Sequence, residues 1–469
     1  MCVGVCQNIQ IRDRMEIVMQ RERLGSRLGF ILLSAGCAIG VGNVWKFPYM
    51  VGQYGGGAFV LIYIFFLLAL GIPVMTMEFA MGRASQRSPL KVCNELEPKG
   101  TKWHLYGYGA MLGNFVLMMF YTSVTGWMLQ YFVKMIKGDF AGMDAAAVAG
   151  GFDNMLADPV TMTIFMAIVV MAGFAVNSFG VQKGVERITK VMMIALLVIM
   201  VVLAVNSIFM EGGSEGLKFY LIPDVDRLME AGVTNVIAGA MSQAFFTLSL
   251  GIGSMAIFGS YIGKERALLG EAVNVAVLDT FVALASGLII FPACFAYGVE
   301  PGSGPSLIFI TLPNIFNNMA GGRFWGSLFF LFMTFAAFST IIAVFENIIA
   351  CMMDLTGWSR KKTCLVSGIL LFVLSIPCVL GYNVWSSFQP LGEGSAVLDL
   401  EDFLVSNILL PLGSLLIVLF CTLRYGWGWK NFIAEANEGK GLKVANWMRW
   451  YMTIVLPIIV IIIFFMGIL

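Results

Sequence analysis

The chain has 469 residues, of which 59% are hydrophobic and 12% charged, with 29 Lys and Arg against 28 Asp and Glu. That apolarity lies outside the soluble globular range and indicates a polytopic membrane protein, while a net charge of +1 gives no footprint for nucleic acid. The only histidine, His104, lies in a polar loop, and nine scattered cysteines show no metal-ligand spacing. Ser-His-Asp and Cys-His catalysis are therefore excluded, and an intramembrane enzyme finds no nucleophile–base pair.

Residues 1–27 carry mixed charges (Arg12, Asp13, Arg14, Glu16, Arg21, Glu22, Arg23, Arg27) and no apolar core, so they read as a cytoplasmic segment rather than a signal peptide. The opening MCVGVCQNIQIRDR differs in character from the rest of the chain, and Met15 and Met19 are alternative starts. Eleven apolar runs then predict membrane-spanning helices at 28–52, 57–82, 105–136, 160–177, 184–209, 234–262, 269–298, 323–354, 363–382, 400–424 and 446–468. They are too long and too uniformly apolar for barrel strands, and only helices or closed barrels satisfy the backbone within a bilayer. With the N-terminus inside, 23 of the 29 Lys and Arg fall on cytoplasmic segments, which sets the orientation. The segment 299–322 has an apolar middle. It reads either as an external helix folded back over the mouth or as a peripheral loop helix.

Two spans are unusual. Gly40-Val41-Gly42 lies within span one, in SAGCAIGVGNVWKFP, and Gly251-Ile252-Gly253 lies within span six, in FFTLSLGIGS. Glycine weakens a helix by up to ~1 kcal/mol relative to Ala, so either pair alone reads as close packing of small residues. Two pairs 211 residues apart, at matching places in two five-span halves, instead predict an internal repeat with interrupted helices. Such breaks place bare N–H and C=O groups at the midplane, where they can hold an anion and a cation. Asp279, deep in span seven, is costly in a membrane unless partnered and suggests an ion or proton site. Asn43 and Thr247 beside the breaks, and Ser339-Thr340 in span eight, add neutral oxygens that suit a hard cation such as Na⁺.

From about Arg21 to its end the chain resembles the neurotransmitter:sodium symporter family. The motifs that carry the likeness are RLGFILLSAGCAIGVGNVWKFPY, GGGAF near Gly55, EFAMGR near Glu78 and FFTLSLGIG, and the match is to the bacterial eleven-span amino acid transporters of the LeuT fold. The resemblance implies an all-α membrane protein with a five-plus-five inverted repeat. Its parts would be a cytoplasmic segment 1–27, a first repeat 28–209, a second repeat 234–424, and a loop with span eleven over 425–469. It implies import of an amino acid with two sodium ions, no organic cofactor, and residence in the bacterial inner membrane.

Residue by residue, the resemblance implies a first sodium site of the Ala38 carbonyl, Asn43, Thr247, Asp279 and the substrate carboxylate. The second would use the Gly36, Ile39 and Ala336 carbonyls with Ser339 and Thr340. The substrate carboxylate would meet the Val41 and Gly42 N–H groups and the Tyr121 hydroxyl, with Leu117, Phe246, Ser249, Ile252 and Val344 around the side chain. Lys46 with Asp402 would gate the outside, Arg21 with Asp354 near Tyr261 the inside, and Glu78 would hydrogen-bond unwound backbone. Where many members have Arg, Lys46 is a weaker bidentate partner, so a looser outer gate is expected.

Three departures shape the expectation. Gly40 stands where animal amine carriers have an aspartate, so the substrate should bring its own carboxylate and be an amino acid. Asp279 supplies a fixed negative charge near Tyr63, Gln243 and Thr247, which would replace chloride. Span five lacks the proline that relatives often carry ten residues after the glycine: Gly184 is followed by Ile194. The uncharged pocket wall suits a hydrophobic or aromatic side chain, and Ile252 leaves room for a large one. The alternatives are a proton-coupled transporter using Asp279 and an amino acid sensor that does not transport.

Overall fold

The structure is a computed structural model that describes residues 24–298 and 307–468. Those residues are helical throughout, with only two isolated β-bridges, Gly56 to Pro223 and Arg266 to Lys440. Among them, nine helices are long and apolar enough to cross a membrane, and the pair Arg27–Ala38 and Gly42–Gln53, bent by 54°, makes a tenth. The remaining expected span is the pair Val233–Thr247 and Ser254–Gly259, whose pieces are each too short because residues 248–253 are unwound. All eleven apolar runs thus coincide with a helix or a broken pair, their ends moving by three residues or fewer.

Prolines shape the helices without ending them. A proline lacks an N–H and cannot bond the carbonyl four residues back, and the ladder can widen ahead of it; Pro292 and Pro377 instead sit inside continuous α-helices. Wide π turns at Gly42–Lys46, Leu67–Gly71, Leu404–Leu409 and Tyr451–Val455 are each followed within two residues by Pro48, Pro73, Pro411 and Pro457. In the first of them the Phe47 N–H reaches back five residues to the Gly42 carbonyl.

Burial ranks the helices. The apolar windows of Leu105–Lys137 and Gly322–Thr356 are 78% buried, those of Pro159–Ser178 and Arg360–Leu380 only 33% and 39%. Spans three and eight are therefore the most internal, while spans four and nine lie toward the outside. Within 307–322, Leu307–Thr311 and Leu312–Asn318 are helical, and Phe309 packs on Trp45, Trp127 and Phe152. Residues 299–306 of the same segment lie outside the described residues.

Candidate functional site

Helix Arg27–Ala38 stops at Ile39, whose N–H closes the last turn on the Ala35 carbonyl. The backbone groups freed after it are answered by side chains. The Gly40 N–H donates to Asn43 Oδ1 at 3.0 Å, the Val41 N–H donates to the Tyr121 hydroxyl at 2.8 Å, and Gln243 Nε2 donates to the Gly42 carbonyl at 2.8 Å. Glycine is required at position 40 for space: a Cβ there would lie 2.1 Å from Tyr121 Oη and 2.5 Å from Thr340 Oγ1.

The second break is held open in the same way. Gly251 and Gly253 have φ of +95° and +74°, and Ser249 joins them at +50°. Glu78 accepts from the Gly251 N–H at 2.6 Å and the Met255 N–H at 3.0 Å. The Tyr106 hydroxyl donates to the Gly251 carbonyl at 3.0 Å, and Asn114 Nδ2 donates to the Ile252 carbonyl at 2.8 Å. Asn347 Nδ2 in turn donates to Asn114 Oδ1 at 2.9 Å. Sequence reasoning singles out Glu78 but misses Tyr106, Asn114 and Asn347. The available signal was an amide in an apolar span, as in MLGNFVLMM and VFENIIA.

Two oxygen clusters lie at the first break. In one, Asn43 Nδ2 donates to Asp279 Oδ1 at 2.8 Å, and the Thr247 hydroxyl donates to the same carboxylate at 3.2 Å. Asp279 is fully buried, and no Lys, Arg or His among the described residues is paired with it. Tyr63, also fully buried, stands beside the same carboxylate. A buried carboxylate partnered only by neutral donors retains its charge requirement, which a small cation or a proton can meet. In the other cluster, Thr340 Oγ1 donates to the Gly36 and Ile39 carbonyls at 3.2 and 3.1 Å. Ser339 Oγ donates to the Ala336 and Ile39 carbonyls at 2.9 and 3.4 Å. Five oxygens thus converge in this cluster without a Cys or His ligand, and Ala38 is the last residue of the helix, between Gly36 and Ile39 in sequence.

A cavity of about 340 Å³ reaches this point and is walled by Val41, Tyr121 and Phe246 at its inner end. Leu117, Ser249, Ile252 and Val344 are buried and do not line it. Leu117 shares a helix face with Gly113, whose missing Cβ would lie 2.6 Å from Ile252 Cγ2, and with Tyr121. Lys46 crosses the cavity: its Nζ is 3.3 Å from Asp402 Oδ2 and 4.0 Å from the centre of the Phe246 ring. Ser406 donates to the other Asp402 oxygen at 2.7 Å, so the pair is monodentate.

At the opposite end, Arg21 lies outside the described residues. Asp354 accepts from the Ser88 N–H at 3.0 Å. The Tyr261 hydroxyl donates to Glu346 Oε1 at 2.6 Å, and Glu346 also pairs with Arg360. Glu186, not singled out in the sequence, accepts from the Gly25 N–H at 2.7 Å and the Ser26 hydroxyl at 3.0 Å. Arg27 pairs with Glu271 at 2.9 Å. Span five runs as an uninterrupted helix, Arg187–Ile208, through Ile194.

The family profile for the Sodium:neurotransmitter symporter family matches residues 21–148 and 151–469. An uncharacterized sodium-dependent transporter of Bacillus subtilis, YhdH, is 35% identical over 445 residues, covering 94% of this chain and 96% of the relative. The sodium-dependent serotonin transporter of Drosophila melanogaster is 26% identical, over 81% of this chain and 68% of its own. Among solved structures, MhsT in complex with L-phenylalanine is similar with a TM-score of 0.86 and 36% identity, covering 95% of this chain and 100% of that one.

Proposed function

The chain belongs to the sodium:neurotransmitter symporter family, whose members are membrane transporters and not enzymes, and from that premise we propose that it imports an amino acid together with two sodium ions. The observation that carries the reading is the meeting of Asp279, Asn43 and Thr247 beside the Val41 N–H and the Tyr121 hydroxyl. An amino acid placed there would present its carboxylate both to those donors and to a sodium ion held by Asp279, Asn43, Thr247 and the Ala38 carbonyl. The second ion would take the oxygens of Gly36, Ile39, Ala336, Ser339 and Thr340. The substrate side chain would face Leu117, Phe246, Ser249, Ile252 and Val344, a wall without charge. We therefore assign a hydrophobic or aromatic amino acid, a class that includes the phenylalanine bound by MhsT.

Coupling follows from the shared carboxylate: sodium and substrate must raise each other's affinity by the same factor. Residues 28–209 and 234–424 would form the two inverted repeats, with the N-terminus cytoplasmic and the protein in the plasma membrane. Lys46 with Asp402 would close the outer path, and Tyr261 with the Arg21–Asp354 pair the inner one. Chloride independence rests on the fixed charge of Asp279 beside Tyr63 and Gln243.

Proteoliposomes under an inward sodium gradient test the reading, with labelled Leu, Trp, Tyr, Ala and Glu and with choline or gluconate replacing sodium or chloride. Uptake of an apolar amino acid that needs sodium and ignores chloride supports it. Uptake driven in choline by a pH gradient favours the proton-coupled alternative, for which the uncompensated Asp279 is the supporting observation. Binding without uptake favours a sensor.

A further inference from the structure

A cavity of about 530 Å³ lies on the flank of the bundle, between span four (Pro159–Ser178) and span nine (Arg360–Leu380). It shares no lining residue with the cavity of the candidate site. Its rim is apolar and faces outward: Met171 is 64% exposed and Ile369 59%. Its floor is Phe174, which approaches Gly368 so closely that a Cβ there would lie 3.3 Å from the ring. Phe174 stacks on Phe345 of span eight at 4.1 Å, so the floor is fixed by an internal pillar. The volume falls within the range of small-molecule sites, yet the opening is to the side, where the bilayer would be.

One end of this groove is polar and basic. Ser178 and Lys361 line it. The Ser178 hydroxyl donates its proton to the Ala175 carbonyl at 2.7 Å, which leaves Lys361 as the donor to any ligand head. The neighbouring basic residues are engaged elsewhere: Arg360 with Glu346, and Lys362 over the Trp358 ring at 4.3 Å. Lys361 is exposed, and no carboxylate among the described residues is paired with it. In the proposed orientation this end faces the cytoplasm. Basic pockets between membrane helices on that side suit anionic lipid head groups.

We infer that the groove between spans four and nine holds one acyl chain of an anionic phospholipid of the inner leaflet, its phosphate against Lys361. The apolar walls accept the chain, and Lys361 selects the head group. The ligand then rests on the Phe174–Phe345 stack and beside Arg360, which grips Glu346 and through it Tyr261.

Native mass spectrometry of the purified full chain tests this, using trace amounts of phosphatidylglycerol and phosphatidylcholine with matched acyl chains. The expected result is a single lipid adduct favouring phosphatidylglycerol by roughly fivefold, the factor for one basic residue near the membrane surface. Lys361→Gln should bring the ratio close to one while keeping the adduct, and Ile369→Trp, which fills the groove, should remove it. Both side chains are exposed, so both variants are expected to fold. Equal binding of the two lipids by the unaltered chain overturns the inference. So does a preference that survives both substitutions, which would place the lipid on another basic patch. A dimer mass abolished by Ile369→Trp also overturns it, because the groove would then be a contact between copies.

Discussion

Asp279 concentrates the charge question in one side chain. It is fully buried, and the side chains that donate to it, Asn43 and Thr247, carry no charge. Asp279→Asn removes the fixed negative charge, so sodium affinity should fall tenfold or more, equivalent to at least ~1.4 kcal/mol. The same variant should become stimulated by chloride; sodium titrations of uptake in chloride and in gluconate measure both effects. Gly40 makes a different demand, for space. Gly40→Ala would place a Cβ 2.1 Å from Tyr121 Oη, displacing the hydroxyl that receives the Val41 N–H. Substrate binding should fall more than tenfold, with overpacking also lowering stability by about 1–3 kcal/mol, as read by radioligand binding and a melting curve. Asp279 and the glycines were legible in the sequence because each is chemically out of place in an apolar span. Tyr106 gave no such signal, and Asn114, an amide in an apolar span, shows its partner only once the chain is folded.

At the scale of the element, the sequence revealed where the helices break but not how the breaks are supported. Glycine pairs mark the unwound turns, since Gly251 and Gly253 adopt φ values that other residues rarely take. The support comes from distant segments: Glu78 from span two, Tyr106 and Asn114 from span three, Asn347 from span eight. Glu78→Gln keeps the shape but turns an N–H donor toward one of the two backbone N–H groups. Leaving that N–H unanswered should cost about 1–3 kcal/mol of stability, visible as a lowered thermal midpoint. The π turns ahead of Pro48, Pro73, Pro411 and Pro457 could not be placed from sequence, because a proline in a helix can equally kink it or end it. Glu186 was likewise hidden: it sits in a charged run at the start of span five and reads as a solvated helix end until Gly25 and Ser26 are seen against it.

Across the whole molecule, the two ends of the helical bundle are built differently. At one end Lys46 meets Asp402 through one carboxylate oxygen and lies over the Phe246 ring. At the other, Glu186 and the Arg27–Glu271 pair tie the start of span one to spans five and seven, and the Tyr261–Glu346–Arg360 chain ties the end of span six to spans eight and nine. Lys46 meets only one Asp402 oxygen, so Lys46→Arg, which permits a bidentate pair, should slow substrate release through this end several-fold in a washout assay. The overall arrangement of eleven apolar runs was readable because hydrophobic length alone defines a span, whereas the charged pairs at each end depend on contacts between segments hundreds of residues apart. In the proposed function, sodium and an amino acid occupy one shared site at the broken helices. Equilibrium binding of a labelled apolar amino acid to the purified chain, with sodium titrated against choline, tests it most directly. Sodium should raise substrate affinity tenfold or more, and substrate should raise sodium affinity by the same factor. Substrate affinity that is equal in sodium and in choline would contradict it.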